Sequence, residues 1–293
     1  MTDAAAQILR DLAASASVEV TPRDAGHLAE LAGLLPSGSV VYITALPSAD
    51  PGDLVGAAVD IRRAGYVPVP HIPVRGLGSL EELDGLLGRL ESQAGVDDVL
   101  VVGGSVKNPK GGLTNTMQVL RSGLLESHGI RRVGVAGHPE GSPDIPPEAV
   151  RDALAEKNEF ARTSALELRV VTQFALAAAP YVAWERAARE AGNRLPVIAG
   201  MPGVTSPPKL LRFALACGIG PSVEVLRKQS GGLLKLATTR MWKPDALVAG
   251  IVDAMQADPD SLFRGIHMYP FGGLRETAVW LADMRADDTA LPA

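Results

Sequence analysis

The chain has 293 residues, of which 46% are hydrophobic and 21% are charged, and its formal net charge is −5. We predict one domain over residues 1–293, because this length can bury a large core. Its scattered lysines and arginines argue against a nucleic-acid partner. A membrane partner is also not expected, because no apolar run approaches the roughly 20 residues of a span, and the N-terminus lacks a secretory leader. We therefore expect a cytoplasmic protein.

Short β-branched runs alternate with helical stretches along the chain. Residues 1–17 are predicted as an amphipathic helix with Ile8, Leu9 and Leu12 on one side. Eight apolar runs bounded by glycine, proline or polar residues are predicted as strands covered on both faces. They span residues 17–20, 39–45, 66–72, 98–103, 132–137, 168–174, 196–200 and 265–269.

The segments between the strands have helical periodicity. Residues 53–65 place Leu54, Ala58 and Ile61 on one face and end at Gly65, a candidate C-cap. The connection between the seventh and eighth strands is longer than the others and contains three predicted helices. The remaining helices are predicted at 180–192, 206–217, 221–229 and 243–257, and a last one runs through Trp280 and Met284.

Eight strands separated by helices predict an α/β fold, a (β/α)8 TIM barrel with extra helices between strands seven and eight. A doubly wound Rossmann-type sheet is the alternative, but it requires a glycine-rich turn directly after the first strand. Residues 21–24 contain no glycine. In a (β/α)8 barrel the active site lies at the carboxyl ends of the strands, so polar residues there are candidate site residues.

Three polar residues at predicted strand ends are open to more than one interpretation. Glu19 interrupts an apolar strand, and it is either part of a structural ion pair or a general acid with a raised pKa. His71 lies between prolines and is either a packed ring that fixes a loop or a functional group. Gln173 can donate and accept through one amide, which suits the edge of a heterocycle.

Metal binding and serine hydrolase chemistry are both poorly supported. The five histidines form no i, i+4 pair and no HExxH motif, the chain has one cysteine, and no GxSxG motif occurs. Residues 102–115 are glycine-rich and carry Lys107 and Lys110 ahead of a predicted helix. Such a loop can bind phosphate through backbone N–H groups, but a purely structural turn has the same composition.

Four segments, taken in order along the chain, resemble the methylenetetrahydrofolate reductase family. They are residues 135–143, 170–174, 195–219 and 265–271. The resemblance implies a (β/α)8 barrel that holds FAD noncovalently and accepts hydride from NAD(P)H. It also implies that the substrates are tetrahydrofolate one-carbon derivatives, with 5,10-methylenetetrahydrofolate and 5-methyltetrahydrofolate interconverted by hydride transfer.

The resemblance also implies a role for individual residues. Glu19 matches the general acid of the family. Gln173 and Tyr269 match substrate contacts. The residues that match cofactor contacts are Thr44, His71, Gly104, Ser105, His138, Glu140 and Lys157.

The chain departs from the family pattern at three strand ends, one of which is the last, where residues 269–273 are Tyr-Pro-Phe-Gly-Gly and the family has a Tyr-Thr-Leu-Asn-Arg type of ending. The family's Arg-Gly-Asp is replaced by residues 103–105, Gly-Gly-Ser, so a negative charge is missing beside the flavin. Its loss should raise the flavin potential. The family's Tyr-Pro-Glu is His-Pro-Glu at residues 138–140.

Other interpretations stay open at this stage. They are a flavin-free NAD(P)H-dependent reductase, a folate-binding barrel that transfers methyl groups, and a non-catalytic binding protein. The apolar outer helices are compatible with a homo-oligomer.

Overall fold

The computed structural model describes residues 2–45, 50–104, 106–216 and 241–286. Eight strands follow one another in chain order around a closed barrel, which confirms the predicted (β/α)8 fold. All eight predicted strands are present, and most of them begin or end one or two residues away from the predicted position. They are β1 Ser17–Val20, β2 Val40–Ile43, β3 Val67–Pro73, β4 Asp98–Val102, β5 Arg132–Gly137, β6 Glu167–Thr172, β7 Val197–Pro202 and β8 Phe263–Tyr269.

Helices precede β1 and follow most of the strands. They are α1 Asp3–Ala14, α2 Pro51–Arg63, α3 Leu80–Ala94, α4 Thr116–Leu120, α5 Leu124–Ser127, α6 Pro147–Ala161, α7 Ala178–Glu190, α8 Pro207–Ala216, α9 Asp245–Ala257 and α10 Leu274–Ala286. Between β7 and β8, α8 and α9 confirm the helices predicted at 206–217 and 243–257. The helix predicted at 221–229 lies outside the described residues. None of the described helices combines the length and apolarity that a membrane crossing requires.

The chain divides into two compact units. The β1–β5 unit comprises Ser17–Ala136 and Glu159–Val170. The β7–β8 unit comprises Met1–Ala16, Gly137–Asn158 and Val171–Ala293. The expectation of one domain over residues 1–293 stays a prediction.

Local sequence accounts for the way α2 begins, ends and packs in the β1–β5 unit. Asp50 is its N-cap and accepts a hydrogen bond from the Gly52 backbone N–H at 2.7 Å, with a proline at the first helical position. Gly65 follows the helix with φ of +85°, as its predicted capping role requires. The predicted apolar face is buried against the unit's core, and the Leu54 and Ile61 side chains each contribute about 1.5–3 kcal/mol.

A buried polar network crosses the interior of the β1–β5 unit. The Arg169 guanidinium donates to the Tyr42 hydroxyl at 2.7 Å and to the Asp98 carboxylate at 2.9 Å. The side chains of Asp98 and Arg169 are only 6% and 15% exposed. Burial disfavours the guanidinium charge, but Tyr42 and Asp98 more than compensate and raise the pKa of Arg169. These three residues therefore depend on one another for their charges and hydrogen bonds.

His128 links two helices at the surface of the same unit. Its ring nitrogens lie 2.8 Å from a carboxylate oxygen of Asp84 and 3.1 Å from one of Glu91, both on α3, while His128 itself caps α5. The hydrogen bond to Asp84 is the main cause that raises the pKa of His128 above its usual 6.5, and Glu91 adds to it. His128 is therefore a pH-dependent contact between α3 and α5.

We expect His128→Gln to lower the free energy of unfolding by about 0.5–1 kcal/mol near pH 6, the range for largely exposed ion pairs. Because the folded-state pKa is raised, the stabilisation is complete below the ordinary pKa and is lost as pH rises through the raised value. Denaturant unfolding of parent and variant near pH 6 and pH 9 measures the difference. An equal difference at both pH values would show that the His128 charge contributes nothing.

In the β7–β8 unit, Tyr181 and Thr172 join the strand ends through buried hydrogen bonds. The Tyr181 hydroxyl donates to the Gly200 carbonyl at 2.5 Å and accepts from the Ala175 backbone N–H at 2.6 Å. The Thr172 hydroxyl accepts from the Gly200 N–H at 2.9 Å. A Cβ at Gly200 would lie 2.0 Å from the Thr172 carbonyl oxygen, so this close approach requires glycine. The ends of β6 and β7 are thereby fixed to each other.

Candidate functional site

A cavity of about 260 Å³ lies in the β1–β5 unit, beyond the carboxyl ends of β2, β3 and β4. Its walls are largely aliphatic and come from the loops after these strands and from α2 and α3. Three of the residues that match cofactor contacts line this one cavity: Thr44, His71 and Gly104. A largely apolar cavity with few polar groups is the usual form of a small-molecule site. We therefore take it as the candidate functional site.

Glu19 and His71 form a pair at the edge of this cavity. The Oε2 atom of Glu19 lies 3.3 Å from Nε2 of His71, and the two side chains are 17% and 13% exposed. Glu19 is on β1 and is opposite Tyr42 of β2 in the strand register. The structure therefore brings together the predicted acid and a predicted cofactor contact, a pairing that the sequence did not reveal.

Tyr42 packs against the His71 ring on its buried side. The two ring centroids are 6.1 Å apart with an interplanar angle of 76°, an edge-on arrangement. Burial raises the pKa of Tyr42, so its hydroxyl stays protonated while it accepts from Arg169. The buried Tyr42–Arg169–Asp98 network thus supports one side of the Glu19–His71 pair.

The loop after β4 is fixed by Arg75. Its guanidinium donates to the carbonyl of Gly103 at 3.2 Å and to that of Gly104. Gly104 has φ of +84°, and a Cβ there would lie 3.1 Å from the Pro73 side chain. The glycine that the resemblance assigns to the cofactor is thus also required by the backbone. Ser105, the other residue assigned there, lies outside the described residues.

The features that suggested a phosphate-binding loop have structural explanations. A Cβ at Gly111 would lie 1.8 Å from the Gly78 carbonyl oxygen, so the glycine allows two backbone segments to touch. Lys110 is paired with Glu82 through contacts of 3.0 and 3.1 Å. The composition of this loop therefore no longer supports phosphate binding by itself.

His138 and Lys157 lie close together in the β7–β8 unit. Lys157 is 7% exposed, and its ammonium donates to the Ala153 carbonyl at 3.0 Å within α6. Burial, together with the neighbouring charge of Lys157, lowers the pKa of His138 to about 4. Burial also lowers the pKa of Lys157. Among the described residues no carboxylate forms an ion pair with Lys157, so an anionic group could stabilise its charge. Glu140 is partly buried in the turn that follows His138.

The two predicted substrate contacts also lie in the β7–β8 unit. Gln173 is partly buried directly after β6, and its backbone N–H donates to the Gly137 carbonyl at 2.8 Å. The Tyr269 hydroxyl donates to the Thr172 carbonyl at 2.9 Å. Its ring lies parallel to that of Phe271, with centroids 6.0 Å apart. Their substrate-binding role stays a prediction.

The sequence analysis missed the residues that support the site. Arg75 was not singled out, and neither was the Tyr42–Arg169–Asp98 network. Arg169 and Asp98 did carry a signal, because each is a charged residue within an otherwise apolar strand. Arg75 had none, because an arginine in a loop is ordinary. In the described parts of the chain, no group of three or more metal-ligating side chains is placed to hold a metal ion.

Comparison with known proteins adds evidence on the fold. No profile of a known protein family matches the chain. A GH18 chitinase from Pseudoalteromonas aurantia is 13% identical, with a TM-score of 0.52 over 92% of this chain and 99% of that chain. A 3-dehydroquinate dehydratase from Aquifex aeolicus VF5 is 9% identical, with a TM-score of 0.40 over 63% of this chain and 78% of that chain. The chitinase similarity supports the barrel fold alone, and the dehydratase similarity carries no argument.

Proposed function

We propose that the protein is an oxidoreductase that interconverts 5,10-methylenetetrahydrofolate and 5-methyltetrahydrofolate by hydride transfer. The observation that carries the proposal is the position of Glu19, 3.3 Å from His71 at the edge of the cavity that Thr44 and Gly104 also line. The resemblance assigns an acid and cofactor contacts to these four residues. Thr44, His71 and Gly104 line one cavity and Glu19 contacts His71, which supports that assignment over a set of unrelated polar residues.

The proposed reaction requires a proton at a defined atom. In 5,10-methylenetetrahydrofolate one carbon bridges N5 and N10 in a five-membered ring. When the bond between this carbon and N10 breaks, its electron pair goes to N10, which must take up a proton because an unprotonated amide-like anion is a poor leaving group. The carbon then remains on N5 as an iminium that can accept hydride. We assign the proton to the Glu19 carboxyl group, and contacts with the pterin to Gln173 and Tyr269.

Several side chains are suited to contact FAD. When bound, FAD would relay hydride between NAD(P)H and the one-carbon unit. The aliphatic walls of the cavity suit one side of a planar heterocycle, and Thr44 and His71 offer polar contacts at its edge. Lys157 would place a positive charge near a phosphate, since among the described residues its buried ammonium has one hydrogen bond, to the Ala153 carbonyl.

A flavin-free reductase, to which NAD(P)H donates hydride directly, is the second candidate. The observation that favours it is the loop after β4, where Lys110 and Gly111 serve packing and an ion pair rather than an anion site. The two candidates share the folate substrate and the acid. They differ in whether the purified protein binds flavin.

We expect the purified protein to bind FAD and Lys157→Met to weaken this binding by about 1–3 kcal/mol, the range for a charge-assisted contact with phosphate. Equilibrium titration monitored by flavin fluorescence measures both affinities. Lys110→Met is the matched control, because Lys110 is paired with Glu82 and its loss should leave the FAD affinity unchanged. Absence of FAD binding at any concentration would reject the flavin and favour the second candidate. Equal affinities of parent and Lys157→Met would remove Lys157 from the site.

A further inference from the structure

The His71 imidazole is held with one nitrogen in the interior and part of its ring at the cavity. Its Nε2 atom is buried and makes no hydrogen bond of regular geometry, although Oε2 of Glu19 is 3.3 Å away. His71 is also one of the residues that line the cavity. A buried ring nitrogen without a hydrogen bond lowers the stability of the folded protein, so such atoms are rare. If Nε2 carries a proton and the ring turns slightly, Nε2–H donates a hydrogen bond to the Glu19 carboxylate, and the nitrogen is no longer without a partner.

The surroundings of the pair limit where its proton can go. Within the β1–β5 unit the ionisable groups that pack below it are Tyr42, Arg169 and Asp98. Tyr42 presents a ring edge to His71, and burial raises the pKa of its hydroxyl, which makes Tyr42 a poor proton donor to the pair. The charges of Arg169 and Asp98 offset each other at 2.9 Å. The cavity side of the imidazole is therefore the side of this unit from which a proton can enter.

We propose that His71 is the positioning residue that supplies Glu19 with its proton. In the forward direction the Glu19 carboxyl gives its proton to the substrate nitrogen and becomes a carboxylate. The Nε2–H of the neutral His71 imidazole then gives its proton to that carboxylate while Nδ1 takes one from a hydronium ion in the cavity, which leaves water and a neutral ring protonated on Nδ1. Exchange of the ring protons with water after product release restores the Nε2–H form. In the reverse direction the same transfers return the proton to water. The substrate in this scheme rests on the proposed function, whereas the Glu19–His71 proton pair does not.

The pair itself can be tested without any folate chemistry. We expect NMR of ¹⁵N-labelled histidines to show the His71 Nε2–H proton further downfield in the parent than in Glu19→Gln, because a hydrogen bond to a carboxylate is stronger than one to a neutral amide. His128 serves as the internal control, since its partners are Asp84 and Glu91 and its ring signals should be the same in both proteins. The same Nε2–H signal for His71 in both proteins would overturn the pair.

Proton supply is tested by the rate of folate ring opening. We expect His71→Ala to lower the single-turnover rate about 10- to 100-fold and added imidazole to restore part of it, which a purely structural role would not allow. His128→Gln is the matched control and should react at the parental rate. A folded His71→Ala protein with the parental rate, or with a loss that imidazole does not change, would overturn the proposal. A parent protein that is inactive towards folate but shows the His71 shift would contradict the proposed function alone.

Discussion

Replacing Glu19 by glutamine is expected to lower folate turnover by about 10²–10⁴-fold while the protein stays folded. The amide keeps the size of the side chain and can still hydrogen-bond with His71, but it cannot give up a proton to N10. The structure places this carboxyl group 3.3 Å from the His71 imidazole, at the edge of the cavity that three other predicted site residues line. Single-turnover formation of 5-methyltetrahydrofolate measures the proton-dependent step directly.

The control for this variant is Glu91→Gln, the same chemical change at a surface carboxylate that contacts His128. It should react at the parental rate. The competing interpretation of Glu19 is a structural ion pair with His71, which predicts a large fall in melting temperature and loss of activity through unfolding. Thermal unfolding of both variants separates these outcomes. A stable Glu19→Gln protein that turns over folate at the parental rate would leave the proposed reaction without its acid.

Arg169→Met is expected to lower the free energy of unfolding by about 3–5 kcal/mol, which is the cost of leaving one member of a buried ion pair without its partner. The variant keeps most of the side chain's volume and removes both hydrogen bonds to Tyr42. Of the ion pairs that the described residues form with Asp98, it leaves the more distant one, with Arg132 at 3.5 Å. Urea unfolding monitored by circular dichroism measures the change.

Arg131→Met provides the comparison for this variant. Arg131 also forms an ion pair with an aspartate, Asp97 at 2.8 Å, but its side chain is 75% exposed, so its loss should cost less than about 1 kcal/mol. The double variant Arg169→Met with Asp98→Leu should recover part of the lost stability, because it removes the unpaired charge as well. If Arg169→Met were no more destabilising than Arg131→Met, the network would not contribute to the stability of the β1–β5 unit.

The strands could be predicted from the sequence because their signal is local. Runs such as residues 98–102 and 132–137 are apolar, β-branched and bounded by polar residues, and each is found as a strand. The ends were less predictable. The prediction placed Gln173 and Phe174 within the sixth strand, but β6 ends at Thr172 and both residues lie beyond it. Strand ends depend on pairing with neighbours, which one segment does not encode.

The candidate site was predictable only in part, because its contacts join distant positions. Thr44, His71 and Gly104 were singled out one by one as strand-end residues, and one cavity brings them together. The contact between Asp98 and Arg169 spans 71 positions in the chain and depends on how the strands close into a barrel. Glycine content in the loop after β4 was equally ambiguous, since a phosphate and a neighbouring backbone both require the absence of a Cβ. The structure shows why residue 111 is a glycine: a Cβ there would collide with the carbonyl oxygen of Gly78.

The most direct test of the proposed function is product analysis with purified protein. The protein is incubated with 5,10-methylenetetrahydrofolate and NADH or NADPH, with and without added FAD, and 5-methyltetrahydrofolate is quantified by chromatography. The reverse reaction is run with 5-methyltetrahydrofolate and an artificial electron acceptor. The account predicts one 5-methyltetrahydrofolate for each reduced nicotinamide consumed, and almost none with Glu19→Gln. No interconversion in either direction, with or without FAD, would contradict it.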